Sequence, residues 1–142
     1  MIKESNIEET LIREHFIISG HSGNSMYPLI LADDQLLIME VNRPISLYDV
    51  VAYRVNDKCV LHRIIGVKDD CFIIRGDNTI KDEYVEKNRI IGYLDTIYRK
   101  DKDIKITDRL NREYYYRSLV TLYYRRFIFK LKKVIKKVIG YE

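Results

Sequence analysis

A chain of 142 residues with 46% hydrophobic and 32% charged residues is the size of one ordinary domain and excludes a low-complexity or disordered polymer. Its net charge of +4 is divided unevenly: residues 1–108 carry 15 Lys and Arg against 19 Asp and Glu, and residues 109–142 carry 10 against 2. Two cysteines, Cys59 and Cys71, are too few for a disulfide framework, and no run approaches the roughly 20 apolar residues that span a bilayer.

The first 16 residues, MIKESNIEETLIREHF, lack the apolar centre of a secretory signal. The expected location is therefore the cytoplasm, with the basic tail able to take the chain to the inner face of the membrane. Asn6 to Glu14 predicts a short helix with Ile7, Leu11 and Ile12 on one face and Asn6 as its cap. The pattern then becomes strand-like. His15–Ser19, Gln35–Val41, Val50–Val55, Lys58–Val67, Cys71–Arg75 and Arg89–Arg99 are short runs rich in Val, Ile, Leu and Tyr. Turn signals at Asn42–Pro44, Asn56–Asp57, Lys68–Asp70 and Gly76–Asn78 separate them. Antiparallel pairing about the turn before Cys71 sets Cys59 opposite a residue near 78–80, so two thiols in a reducing compartment are expected. From about Asp108 the apolar residues recur at three- and four-residue steps, from Leu119/Val120 to Val138/Ile139, with Lys and Arg between them. That is a helical stripe, and a helix of about 30 residues would be ~45 Å long, too long to pack fully on so small a body.

Three segments carry candidate chemistry. SGHSGNSMYPLI, residues 19–30, is a loop of small residues that turns at Met26-Tyr27-Pro28-Leu29, where Ser25 would be exposed beside backbone N–H groups. In KCVLHRIIGV, residues 58–67, alternation puts His62 on one strand face with Val60 and Ile64. An imidazole there can be a neutral base near pH 7. In IIRGDNTIKDEYV, residues 73–85, a Gly-Asp-Asn turn supplies Asp77, followed by Asp82 and Glu83. Separately these read as a loop, a structural histidine and an ordinary turn. Together they hold the hydroxyl, imidazole and carboxylate of nucleophilic acyl transfer. Met26, Tyr27 and Leu29 read as packing or pocket residues, and neither His15 nor His21 has comparable strand context. The His, Cys and Asp residues lack metal-ligand spacing.

The order SMYP, LLI, DVVAY, LHRIIGV, RGDN and IIGYL resembles the signal peptidase I family, whose fold is shared with LexA-type self-cleaving proteins. The resemblance covers about residues 16–98. It implies Ser25 as nucleophile and His62 as base, at the position where most bacterial members have Lys and the endoplasmic-reticulum and archaeal forms have His. It implies Asp77 as the first acidic partner and Asp82 or Glu83 as the second, Asp82 being preferred because one deletion in the loop aligns it. The oxyanion would be held by the Ser25 N–H, with Gly23 contributing and Met26 beside the substrate. Two departures are that Asp33-Asp34 and Tyr48-Asp49 stand where the family commonly has Gly-Asp, and that the usual N-terminal membrane anchor is not seen.

The expected fold is mainly β: a small, mostly antiparallel signal-peptidase-like domain over residues 1–108, then a basic amphipathic helical extension over 109–142. The expected function is a serine endopeptidase that cleaves a peptide or leader-type precursor after small residues, with no cofactor and no metal. A non-catalytic module that binds peptide or membrane and a LexA-type self-cleaving regulator are the alternatives. For the tail, the readings are packing along the body or an anionic membrane surface met by residues 117–139, with nucleic acid disfavoured because no reading motif accompanies the charge.

Overall fold

A computed structural model describes residues 7–140. Helix α1 (Ile7–Glu14) leads into β1 (Phe16–Ser19), then β2 (Gln35–Glu40), β3 (Val50–Val55), β4 (Lys58–Lys68), β5 (Cys71–Arg75), β6 (Glu83–Glu86), β7 (Ile90–Arg99), β8 (Lys102–Lys105) and α2 (Asp108–Val138). The strands form one antiparallel sheet in the order β1-β2-β7-β3-β4-β5-β6, with β8 added to β7. The fold is thus mainly β with a helical extension, as the alternating runs indicated. Asn6, the expected cap of α1, lies outside the described residues.

Strand β3 explains the layout. Its residues Val50 to Tyr53 are all buried, because it lies between β7 and β4 with apolar layers on both faces. Val50 and Ala52 join a cluster with Leu11 of α1, Leu36 and Ile38 of β2, Leu94 and Ile97 of β7, and Met26, Leu29 and Ile30 of the loop between β1 and β2. Val51 and Tyr53 belong to a second cluster with Ile64, Phe72, Ile74, Val85 and Tyr93. The two-residue Asn56-Asp57 loop fixes the β3–β4 register at Val55↔Lys58, which sets Val51 opposite His62 and Tyr53 opposite Val60. Cys59 stands opposite Arg54 and Cys71 opposite Lys68, and no disulfide joins the two cysteines. The expected partner of Cys59 near residues 78–80 is corrected, because β5 ends at Arg75 and Cys59 lies beyond its reach.

Arg63 is fully buried on the face opposite His62, and Asp77 meets it with both oxygens: Nε donates to Oδ1 at 2.7 Å and Nη2 to Oδ2 at 2.8 Å. Its Nη1 donates to the Tyr48 carbonyl (2.8 Å) and to Asn111 Oδ1 (2.9 Å). One guanidinium therefore joins β4, the Gly-Asp-Asn turn, the loop before β3 and the first turns of α2. Tyr48 has a φ of 75°, uncommon for a bulky residue. Its ring stacks on Tyr115 of α2 with centroids 4.3 Å apart.

Helix α2 opens on Thr107, whose hydroxyl accepts from the Leu110 N–H at 3.2 Å, with Asp108 in the first turn. Asn111, Ser118 and Leu122 are its buried positions. Beyond Leu122 no described α2 residue is buried, so the helix outruns the body as its length requires. Removing one member of a buried ion pair leaves an uncompensated charge. Asp77→Ala is expected to lower the unfolding free energy by about 3–5 kcal/mol in urea titration. A loss below about 1 kcal/mol would mean that the pair does not fasten the fold.

Candidate active site

The loop after β1 turns back through Tyr27 N–H to the Asn24 carbonyl (3.1 Å) and Ile30 N–H to the Met26 carbonyl (3.1 Å). Its far end is anchored by Arg99, which donates to both oxygens of buried Asp34 (2.8 and 2.6 Å) and to the Leu29 carbonyl (2.7 Å). Asp34 is held below the usual carboxylate range chiefly by that hydrogen bond from Arg99. These anchors bury Met26, Leu29 and Ile30 and leave Ser25 half-buried at the bend. Met26, expected beside the substrate, is 4% exposed and packs in the core. Gly23 is exposed with a φ of 81°, two residues before the nucleophile candidate.

The Gly-Asp-Asn turn after β5 clamps this bend. Asn78 N–H donates to the Ser25 carbonyl at 2.8 Å, and Asn78 Nδ2 donates to the Asn24 carbonyl at 2.9 Å. Gly76 lies between the bend and the imidazole. A Cβ there would sit 2.7 Å from the Ser25 carbonyl oxygen and 3.1 Å from His62 Cδ2, so only glycine permits this approach. Ser25 and His62 therefore flank the same residue. Among the described residues the Ser25 hydroxyl, the Ser25 N–H and His62 Nε2 make no hydrogen bond.

His62 Nδ1 lies 2.9 Å from Tyr53 Oη, and Tyr53 Oη donates to Glu83 Oε2 at 2.5 Å. A phenol has one proton, which here goes to the carboxylate, so Nδ1–H donates to Tyr53 and Nε2 carries the lone pair. Burial lowers the His62 pKa below its ordinary value; the charges of Glu83 and Asp77 raise it, but less. Tyr53 is driven far upward, first by burial and then by its bond to Glu83, so its proton stays on the phenol. The result is a neutral imidazole of fixed tautomer whose basic nitrogen is unengaged.

Ser25 and His62 are thus brought together, while the carboxylates differ from expectation. Both oxygens of Asp77 are taken by Arg63, and Asp77 reaches His62 only through its charge. Asp82 Oδ1 accepts from Arg75 Nη1 at 3.2 Å, away from the imidazole. The carboxylate linked to His62 is Glu83, through Tyr53, a residue that the sequence reading passed over. The β3–β4 register held the signal, since it puts Tyr53 on the face of His62 two positions along the neighbouring strand. His15 Nδ1 pairs with Glu40 (2.6 Å) and His21 Nε2 with the Leu31 carbonyl (2.6 Å), both outside this cluster. Among the described residues, no three His, Cys, Asp or Glu side chains converge in a way that could hold a metal ion.

Compared with protein-family models and with curated proteins, the sequence matches none.

The lowered pKa has a defined sign. As pH falls through about 6.5 the unfolded chain takes up a proton that native His62 refuses, so stability declines below that pH and levels off below the native value. Nitrogen NMR of the imidazole at pH 7 is expected to show a neutral ring protonated on Nδ1, titrating below about 6.5. In Tyr53→Phe the Nε2–H tautomer should grow. An unchanged tautomer in that variant would remove Tyr53 from the arrangement.

Proposed function

We propose that the chain is a serine endopeptidase of the signal peptidase type, with Ser25 as nucleophile and His62 as general base. The observation that carries this reading is the chain from His62 Nδ1 through Tyr53 to Glu83, which leaves a neutral Nε2 of fixed tautomer on a ring that packs against Gly76, the residue that also touches the Ser25 bend. A buried histidine with only a structural role would be expected to spend both nitrogens on fixed partners.

Ser25 Oγ attacks the carbonyl carbon of the scissile peptide bond while its proton passes to His62 Nε2. The oxyanion accepts from the Ser25 N–H, which has no partner of its own among the described residues. The tetrahedral intermediate collapses, the C–N bond breaks, and His62 returns the proton to the leaving amine. Water then attacks the acyl-enzyme, giving one proton to His62 and releasing the carboxylic acid product as Ser25 recovers its hydrogen. Throughout, Tyr53 accepts from Nδ1–H and donates to Glu83, so the imidazolium is stabilised by an oriented dipole and a carboxylate behind it. Asp77 is a positioning residue, holding the turn that clamps the Ser25 carbonyl. The separation of Ser25 Oγ from His62 closes as substrate binds, since hydrogen bonds of unliganded sites tighten in the substrate complex.

The competing reading is a peptide-binding module without chemistry, favoured by the missing Ser25–His62 hydrogen bond. Mass spectrometry of a peptide library incubated with the wild-type chain should show cleavage after small residues. That cleavage should disappear in Ser25→Ala and fall about 100-fold or more in Gly76→Ala, which forces the two groups apart. Retained binding without cleavage in the wild type would support the module, and slow loss of the intact chain alone would support self-cleavage. The acid limb of kcat/KM should lie below pH 6.5 and move in Tyr53→Phe. A limb that rises only above pH 9 would exclude His62 as base.

A further inference from the structure

Helix α2 meets the body through one face and leaves a second apolar face bare. Ser118 and Leu122, 5% and 4% exposed, mark the packed side, and Arg125 Nη1 donates from it to the Asn78 carbonyl (2.5 Å). Val120, Tyr123, Phe127, Leu131, Val134 and Val138 follow one another at steps of three and four residues and are all exposed, Val120 at 74% and Val138 at 79%. At 100° per residue they fall within about 80° of the helix circumference, roughly opposite Ser118 and Leu122. This is a continuous stripe about 27 Å long at 1.5 Å per residue, directed away from the protein. A face of this kind marks a contact surface.

Charge selects the occupant. Arg125, Arg126, Lys130, Lys132, Lys133, Lys136 and Lys137 flank the stripe or lie behind it, and no acidic residue stands between Glu113 and the end of the helix. Two copies joined along this stripe would bring two cationic rows together with no carboxylate to offset them, the reverse of what paired helices use. A nucleic acid would meet the cations but leave the apolar stripe in water. An anionic bilayer satisfies both features: the stripe enters the boundary between headgroups and acyl chains while the flanking lysines extend their ammonium groups to lipid phosphates. No described helix is long and apolar enough to cross a membrane, so the contact is peripheral.

We propose that α2 docks the protein on anionic lipid bilayers through this stripe. The docking stands apart from the peptidase reading, since none of its residues belongs to the candidate active site. Because Arg125 holds Asn78, and Asn78 holds the Ser25 carbonyl, a docked α2 fixes the orientation of the body on the side of the helix turned away from the lipid.

The test is flotation of the full chain with vesicles of phosphatidylcholine alone and of phosphatidylcholine mixed with phosphatidylglycerol. The chain is expected to float with the anionic vesicles, to remain behind with the neutral ones, and to be released by salt. The triple variant F127Q/L131Q/V138Q should lose flotation while keeping its helical circular dichroism, since these exposed positions contribute no core packing. Each of Lys130→Gln, Lys133→Gln and Lys137→Gln should lower partitioning about fivefold. Ser25→Ala should float like the wild type, so loss of peptidase activity and loss of docking are read separately. Failure of the wild type to float, or flotation unchanged in the triple variant, overturns the proposal. A stripe-dependent dimer in ultracentrifugation without vesicle binding, or oligonucleotide binding without vesicle binding, also overturns it and names a second copy or a nucleic acid as the occupant.

Discussion

The buried pair of Arg63 and Asp77 is the constraint on which the rest of the arrangement depends. A guanidinium removed from water needs its charge matched and its donors occupied. Arg63 meets that requirement with a carboxylate from the Gly-Asp-Asn turn, a carbonyl from the loop before β3 and an amide oxygen from α2. The cost of burying the cation is what makes the geometry specific: each partner lies far along the chain, and none can leave without exposing the others. The position of the turn then fixes Asn78, and Asn78 fixes the bend that carries Ser25. A residue adjacent in sequence to His62 but on the opposite face thus sets where the hydroxyl stands relative to the imidazole.

The link from His62 to Glu83 passes through a phenol rather than directly to a carboxylate. Burial and the hydrogen bond to Glu83 both oppose ionisation of Tyr53, so the phenol transmits orientation without giving up its proton. Glu83 acts on the imidazole across this intervening dipole, which weakens the upward pull that a directly bonded carboxylate would exert. Desolvation therefore dominates, and the imidazole remains neutral.

Much of this was legible in the sequence. Six strands and both helices follow from alternation and from the change of period near Asp108, and the face shared by Val60, His62 and Ile64 follows from the same count. Two strands were missed. Glu-Tyr-Val-Glu and Lys-Asp-Ile-Lys each contain too few apolar residues to signal a strand, and they pair only because β5 and β7 offer open edges. The first omission concealed that Glu83 lies on β6, and left the choice between Asp82 and Glu83 to loop length alone. The assignment of Asp77 overlooked its competitor: Arg63, buried on the other face, has the stronger need for a carboxylate. Met26 was placed near the substrate by the motif, whereas the anchored ends of its loop turn that side chain into the core. The helical stripe of α2 was visible, but periodicity could not say which side the body would cover.

Strand β6 is four residues long, occupies the sheet edge and, among the described residues, pairs only with β5. Such elements open at a fraction of the free energy needed to unfold a central strand. Glu83 sits at the start of this edge strand, while Tyr53 and His62 sit on β3 and β4 in the middle of the sheet. The orientation of the imidazole is therefore a local property: opening at Glu83, the first residue of β6, frees the phenol to turn and the imidazole to change tautomer, while Val85 two residues on still holds the strand to the second core. The tautomer of His62 is thus set by a contact that can be lost before the fold is.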